Sequence, residues 1–360
     1  MTNSNQPKYR FLTKEATACV NGVFIIIVFI SHLRTYMEVA PTIEKILSLI
    51  SQLMVTTFLF YSGYGVMESI RAKGMDYVKS IPKKRVLGVF AIFIPAVLLF
   101  AVMDLLLGIP FTIKQFALSL IAWLNLGNSN WYIFVIICLY ILTWLSWLIA
   151  DKITAKFDGP EKITLRNETG MTALFILTIL LAIALLFTTP DYYYNTLSAY
   201  LFGVFFSQNK DGILKFCGFN KSGKVKGILG ITRYIMTVLF CVLATYFIRT
   251  YAVGQFKTPG FLLASVLFCL GIVLISYLIP FPDIIFRWFG EHLFEIYILM
   301  RIPMISLLFI PYLSKGGLTY AIICFILTIL LAWIYHSIRL KISSYLKHRS
   351  AAKIAKSDQD

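Results

Sequence analysis

Apolar residues in this chain come in unbroken runs separated by short polar stretches. Val86–Leu107, Ile133–Ala150, Phe261–Pro280 and Thr319–Tyr335 each approach or exceed the ~20 residues a helix needs to cross hydrocarbon. Nothing alternates at period two, which argues against a β-barrel. The runs predict ten helices, at about 17–37, 46–67, 86–107, 130–150, 171–188, 196–207, 228–248, 261–280, 291–312 and 319–338. The sixth is short and must be tilted or extended at its ends. A further apolar piece, 115–126, is too short to span and reads as re-entrant or interfacial.

Composition agrees with the pattern. A chain that is 59% hydrophobic and only 14% charged, with this many continuous apolar runs, is an all-α polytopic membrane protein. The first run ends in SHLRTY without a small-residue cleavage pattern, so it reads as a retained helix. The expected organisation is a cytoplasmic amino-terminal segment over 1–16, a membrane domain over 17–338 and a basic tail over 339–360. Six scattered cysteines with no CxxC pair read as small packing residues.

A formal charge of +16 raises the prospect of nucleic acid, but the cations alternate from loop to loop instead of forming one patch. With ten crossings, 25 of the 33 Lys and Arg fall in segments on one side, and five on the other. By the positive-inside rule both termini are cytoplasmic. The basicity is topological, and no nucleic-acid partner is expected.

That topology places His32. Helix 1 enters from the cytoplasm near Thr17, so at 1.5 Å per residue His32 lies roughly 20 Å along it, in the outer half of the bilayer. Ionisable groups at that depth are functional candidates by default. A neutral imidazole can take a proton from a hydroxyl that attacks an activated carbonyl; the bland alternative is a hydrogen-bonded structural histidine. Arg34, on another face, can assist as a cation or snorkel to the outer interface. The stretch 68–85 carries Arg71, Lys73, Lys79, Lys83, Lys84 and Arg85. Its end, Lys83-Lys84-Arg85, can hold the phosphates of a cytosolic substrate, or anchor the chain on anionic lipid. In GEHLFEIYILMRIP, Glu291 and Glu295 share a face near the cytoplasmic end, where neither need be deeply buried. Arg301 lies further in and is expected to pair with Asp104 or Glu295, or to face a wet cavity. His292, His336 and His348 look ordinary, and without an HExxH-like cluster no metal site is proposed.

The order of these features carries a resemblance. A histidine late in helix 1, FLFYSGYG at 58–65, a basic stretch ending KKR, and NSNWYIFVIICLY opening the fourth helix together resemble the acyltransferase-3 family of integral-membrane acyltransferases. The resemblance implies a ten-helix membrane domain that moves an acyl group, usually acetyl from cytosolic acetyl-CoA or another acyl-CoA, to an extracytoplasmic or lipid-linked carbohydrate. His32 then matches the catalytic base or acyl relay. Ser62, Gly63 and Tyr64 match a Ser-Gly-aromatic signature, and Trp131 with Tyr132 a Trp-aromatic motif. Lys83, Lys84 and Arg85 become the acyl-CoA site, and Arg34, Ser62, Tyr64, Trp131, Tyr132 and Arg301 line the substrate pocket. Three positions depart from the pattern. Asn21, which the resemblance places with His32 as catalytic, stands where a basic residue is common; Gly88 stands where a second arginine follows Arg85; and Met300 and Arg301 lie near the place of a late histidine.

The expected partners are membrane lipid and a carbohydrate or glycolipid acceptor, in a plasma membrane or a bacterial inner membrane. A rival reading is a transporter or flippase whose path is lined by His32, Asp104, Glu295 and Arg301; a catalytically silent family member is a third.

Overall fold

The computed structural model describes residues 8–279, 283–313 and 316–357, with side chains described through residue 345. Pro280, where the predicted eighth helix ends, lies outside them. Among the described residues the chain is helical almost throughout, with no strand beyond one isolated bridge between Phe219 and Val225. The helices are α1 (Lys14–Leu33), α2 (Pro41–Ile81), α3 (Leu87–Leu107), α4 (Ile113–Leu120), α5 (Trp131–Ile153), α6 (Gly159–Leu186), α7 (Leu197–Phe216), α8 (Ile228–Tyr251), α9 (Lys257–Leu278), α10 (Ile284–Glu291), α11 (Leu293–Leu299), α12 (Arg301–Ser306) and α13 (Leu318–Ser357).

Among the described residues seven helical stretches are long and apolar enough to cross a membrane, or eight if the pair 284–291 and 293–309, bent by 60°, is one span. One of the seven, Pro41–Leu107, has 67 residues. Straight, it would reach ~100 Å, about three times the hydrocarbon thickness, so it holds more than one pass. The ten-helix reading divides it at residues 82–86 and adds α7, whose second half is too polar to qualify alone. The chain is an all-α polytopic membrane protein.

Three local expectations change. The basic stretch 68–85 is not a loop: α2 runs on through it, kinked at Gly74 (φ 58°, ψ −144°), and a π-helical turn over Pro82–Val86 joins it to α3. Only glycine takes that backbone conformation without a Cβ penalty. The short sixth helix is extended at its C-terminal end, to Phe216. The ninth is broken twice, at His292 and at Met300. Pro303 accounts for the second break, because it offers no N–H to the carbonyl of Leu299 four residues back.

Without a hydrophobic driving force in lipid, helices associate where small residues let backbones touch. A Cβ added to Gly63 would sit 2.3 Å from the Tyr200 carbonyl oxygen, and one on Gly203 would sit 2.1 Å from that of Phe60. The two glycines lock α2 to α7. Gly22 and Gly290 do the same for α1 and α10, each facing a carbonyl oxygen of the other helix at 1.8 Å. The expectation that Gly63 permits close approach is met.

A second fastening is ionic. Glu295 is 2% exposed, contrary to its expected place at a wet helix end. Its Oε1 accepts from Arg339 Nη2 and pairs with His336 Nδ1, both at 2.8 Å, tying α11 to α13. His292 is likewise not ordinary: it is buried at the helix break, stacked on Trp288 with ring centroids 4.1 Å apart, and its neighbour on the other side is His336. Glu291 stays exposed and reaches Arg287 only at 3.9 Å.

Two outcomes are expected. Gly63→Val should lower the thermal midpoint of the detergent-solubilised protein, overpacking by about 1–3 kcal/mol or more; Gly65→Ala, with open space at its Cβ, should not. Glu295→Ala should cost about 1–3 kcal/mol, because it leaves the half-buried Arg339 guanidinium without its carboxylate acceptor. Fluorescence-detected melting of purified protein reads both.

Candidate functional site

The largest polar cavity described here opens where several helices end. It has a volume of about 410 Å³ and is lined from α1 by Ser31, His32 and Arg34, from α2 by Ser48, Ser51 and Gln52, and from the broken ninth helix by Tyr297 and Arg301. Trp131 at the start of α5, the loop before it and Tyr192–Tyr193 complete the wall.

His32 is half-buried in the last turn of α1, its remaining surface facing the cavity. Its Nε2 lies 3.5 Å from Ser129 Oγ, at the limit of a hydrogen bond. Ser129 is held there by an unusual loop. Asn130 donates from Nδ2 to the carbonyls of Ala122 and Leu124, and Asn128 Oδ1 accepts from the Leu126 N–H at 2.9 Å. Gln115 Nε2 of α4 donates to the Asn125 carbonyl at 2.9 Å. The run NLGNSN is thus a set of side chains satisfying backbone groups that no helix satisfies. The stretch expected to be re-entrant is the helix α4 plus this loop, and it does not cross.

Arg301 is not paired as expected. Glu295 is occupied by His336 and Arg339, and no ion pair joins Arg301 to Asp104 among the described residues. Instead Arg301 Nε donates to Tyr36 Oη at 2.7 Å and its guanidinium lies over the Tyr36 ring. This fixes the cation with its other donors free to serve the cavity. Arg34 is the second cation, and no carboxylate occurs among the described lining residues. The cavity therefore favours negative charge, whether on a ligand or developing in a transition state. On its outer rim burial pushes the Tyr193 phenol up to about 12, and burial with Asp191 beside it raises Tyr192, so both stay hydrogen-bond donors at neutral pH.

The predicted site residues divide into three places. His32, Arg34, Trp131 and Arg301 come together in the cavity. Tyr132 stands directly behind, its ring 5.5 Å from that of Tyr297. Ser62 and Tyr64 do not line it. Ser62 Oγ is hydrogen-bonded to Tyr140 Oη at 2.6 Å, deeper in the bundle, and Tyr64 stacks on Phe60 with the Lys210 ammonium over its ring. Asn21 is eleven residues before His32, about 16 Å deeper along α1. Its Oδ1 is buried and finds no donor among the described residues.

Away from the cavity, Lys83 and Lys84 are exposed on the π-helical turn. Arg85 turns inward: its Nε donates to Tyr77 Oη at 2.9 Å and its guanidinium lies over the Tyr140 ring. Tyr140 thus touches both Arg85 and Ser62. It sits eight residues, about 12 Å, beyond Tyr132 on α5. Two tyrosine pairs flank this span of α5: Tyr77 and Tyr140 at Arg85, and Tyr132 and Tyr297 behind the His32 cavity, with about 12 Å of helix between them. Exposed lysines followed by an inward arginine and aromatic hydroxyls fit a polyanionic head with a long polar arm.

Ser129, Tyr297 and Tyr36 were not singled out from sequence. Ser129 had a signal, since it adjoins the Trp131 motif in NSNWY; Tyr297 had a weaker one in IYILMRIP. Tyr36 had none, because its role is to hold a residue 265 positions away.

No curated protein and no solved structure matches the chain. The acyltransferase-3 family, described as an acyltransferase domain, matches residues 19–337. That span includes both the cavity and the basic turn, and the chain belongs to this family of membrane acyltransferases.

Proposed function

We propose that the protein transfers an acyl group, typically acetyl, from cytosolic acyl-CoA to a hydroxyl of an extracytoplasmic or lipid-linked carbohydrate. The observation that carries this reading is that α5 runs between the two ends, with Trp131 at its start lining the histidine cavity and Tyr140 further along it against Arg85 of the cationic turn. Lys83 and Lys84 would receive the nucleotide phosphates, and Arg85 would meet the start of the arm. The thioester would travel beside Tyr140 and Tyr132 to the inner wall of the cavity. The acceptor would enter from the opposite side, between Trp131, Gln52 and Tyr192.

Chemistry then needs one proton acceptor and one anion stabiliser. The acceptor oxygen attacks the thioester carbonyl carbon while His32 Nε2 takes its proton. Arg301, held by Tyr36, faces the charge that develops on the carbonyl oxygen. The C–S bond breaks, and the imidazolium returns the proton to the departing thiolate. Asn21 lies too deep to touch these atoms directly, and its place in this reading is to accept a hydrogen bond from the incoming arm.

Membranes containing the protein, given acetyl-CoA labelled in its acetyl group, are expected to place label on a glycan or glycolipid. His32→Ala should reduce that transfer about 10²–10⁴-fold at unchanged expression; retained labelling would sink the assignment. Replacing Lys83 and Lys84 together by Ala should raise KM for acetyl-CoA about tenfold with kcat held. An unmoved KM would place the phosphates elsewhere.

A further inference from the structure

The outer half of α2 presents two faces of opposite character. Ser48, Ser51, Gln52 and Val55 line the His32 cavity, whereas Ile46, Leu49, Ile50 and Leu53 line a separate notch of about 310 Å³. Each set follows helical spacing, offset by two residues, so the helix is a partition with a polar wall and an apolar wall. The notch is completed by α8 and α9 with Cys241, Val242, Thr245, Phe268 and Ile272, and it is almost wholly apolar.

Two features set it apart from ordinary lipid-facing surface. Arg249 stands at its outer end, and the described lining residues include no carboxylate. The guanidinium donates to the carbonyls of Leu49 at 3.2 Å and Ser48 at 3.4 Å and lies 4.2 Å from the Phe261 ring centroid. It is thereby held at the rim with donors to spare. Thr245 is 6% exposed, lines the notch, and its Oγ1 has no hydrogen-bond partner among the described residues. Ser48 joins the two spaces, since its carbonyl accepts from Arg249 while the residue lines the histidine cavity.

We propose that this notch holds the hydrocarbon chain of a polyprenyl phosphate that carries the acceptor sugar. Arg249 binds its phosphate, and the sugar passes over Ser48 into the His32 cavity. The inference rests on the acyl-transfer reading and narrows its acceptor to a lipid-linked one. Closure by α2, α8 and α9 suits a single chain beside a single cation. A helix with side chains is about 10–12 Å across, so a phosphate at Arg249 lies within reach of one or two sugars from the cavity.

The test is binding of undecaprenyl phosphate, undecaprenol and phosphatidylglycerol to the purified full-length protein in phosphatidylcholine nanodiscs, read by photo-crosslinking or native mass spectrometry. Undecaprenyl phosphate should bind about ten- to a hundredfold tighter than undecaprenol, as a charge-assisted hydrogen bond implies. Arg249→Gln should erase that difference. Val242→Trp fills the notch from a lipid-exposed position where folding is not at stake, and it should weaken both lipids. Equal binding of phosphate and alcohol, an unaffected Val242→Trp protein, or equal displacement by phosphatidylglycerol would overturn the proposal, the last marking an ordinary annular lipid. His32→Ala should bind undecaprenyl phosphate as the unmodified protein does. Selective binding without acetyl transfer supports the lipid site and removes only the acyl-transfer reading. Transfer without selective binding removes the lipid site alone.

Discussion

Hydrocarbon cannot hydrogen-bond a peptide group, so non-helical backbone at membrane depth survives only where protein or a wet cavity satisfies it. That constraint decides where this molecule can do chemistry. The last turn of α1, the loop 121–130 and the break at Met300 leave helical geometry in the same region, and the polar cavity forms among them. Asn130, Asn128 and Gln115 use their side-chain amides to pair the carbonyls and N–H groups that helices would otherwise have paired. The same groups fix Ser129 beside His32 and open a space for a ligand. The irregular backbone and the site share one cause.

Charge placement follows the same economy. Glu295 is buried, and it is spent on His336 and Arg339 at the junction of α11 and α13. Arg301, one turn and a half further along the broken helix, is left without a carboxylate and rests on the phenol of Tyr36. Had Glu295 been free to pair with it, the cavity would have lost its fixed cation. The break at Met300 therefore separates a structural ion cluster from a chemical one within a single span.

Much of this was readable in the residues. The apolar runs located the long membrane helices, because a run long enough to cross hydrocarbon has few other uses, whereas α10 and the end of α2 lie in stretches read as loops. His32 and Trp131 were readable because polar or amphipathic groups in such runs need a reason, and Gly63 because close helix contact in lipid calls for a missing Cβ. What could not be read depends on pairing across the chain. The partner of Arg301 is Tyr36 and the partner of Glu295 is Arg339, choices that spacing within one helix cannot reveal. Ser62 and Tyr64 sit inside the bundle because α2 continues straight where the family motif alone implied a pocket. Arg85 turns inward because the π-helical turn re-aims it, and one extra residue per turn leaves no mark in a string of lysines and arginines.

The two walls of α2 bear on how a membrane enzyme can choose its acceptor. A soluble acceptor would need only the polar wall, and the residues two positions away would then face lipid with no constraint beyond being apolar. Here that second wall faces a notch that ends at a cation held by the backbone of the polar side, and across the notch on α8 the buried Thr245 hydroxyl has no hydrogen-bond partner among the described residues. A carboxylate near Arg249 would have neutralised it, yet Asp191, the acidic residue of that rim, is bound at 2.7 Å by Lys257. Held on two backbone carbonyls and a ring, the Arg249 guanidinium meets no carboxylate ion pair among the described residues. Selection of an acceptor by its lipid anchor would place the reactive hydroxyl by tether length, so that the cavity itself need recognise little more than a sugar with an available oxygen.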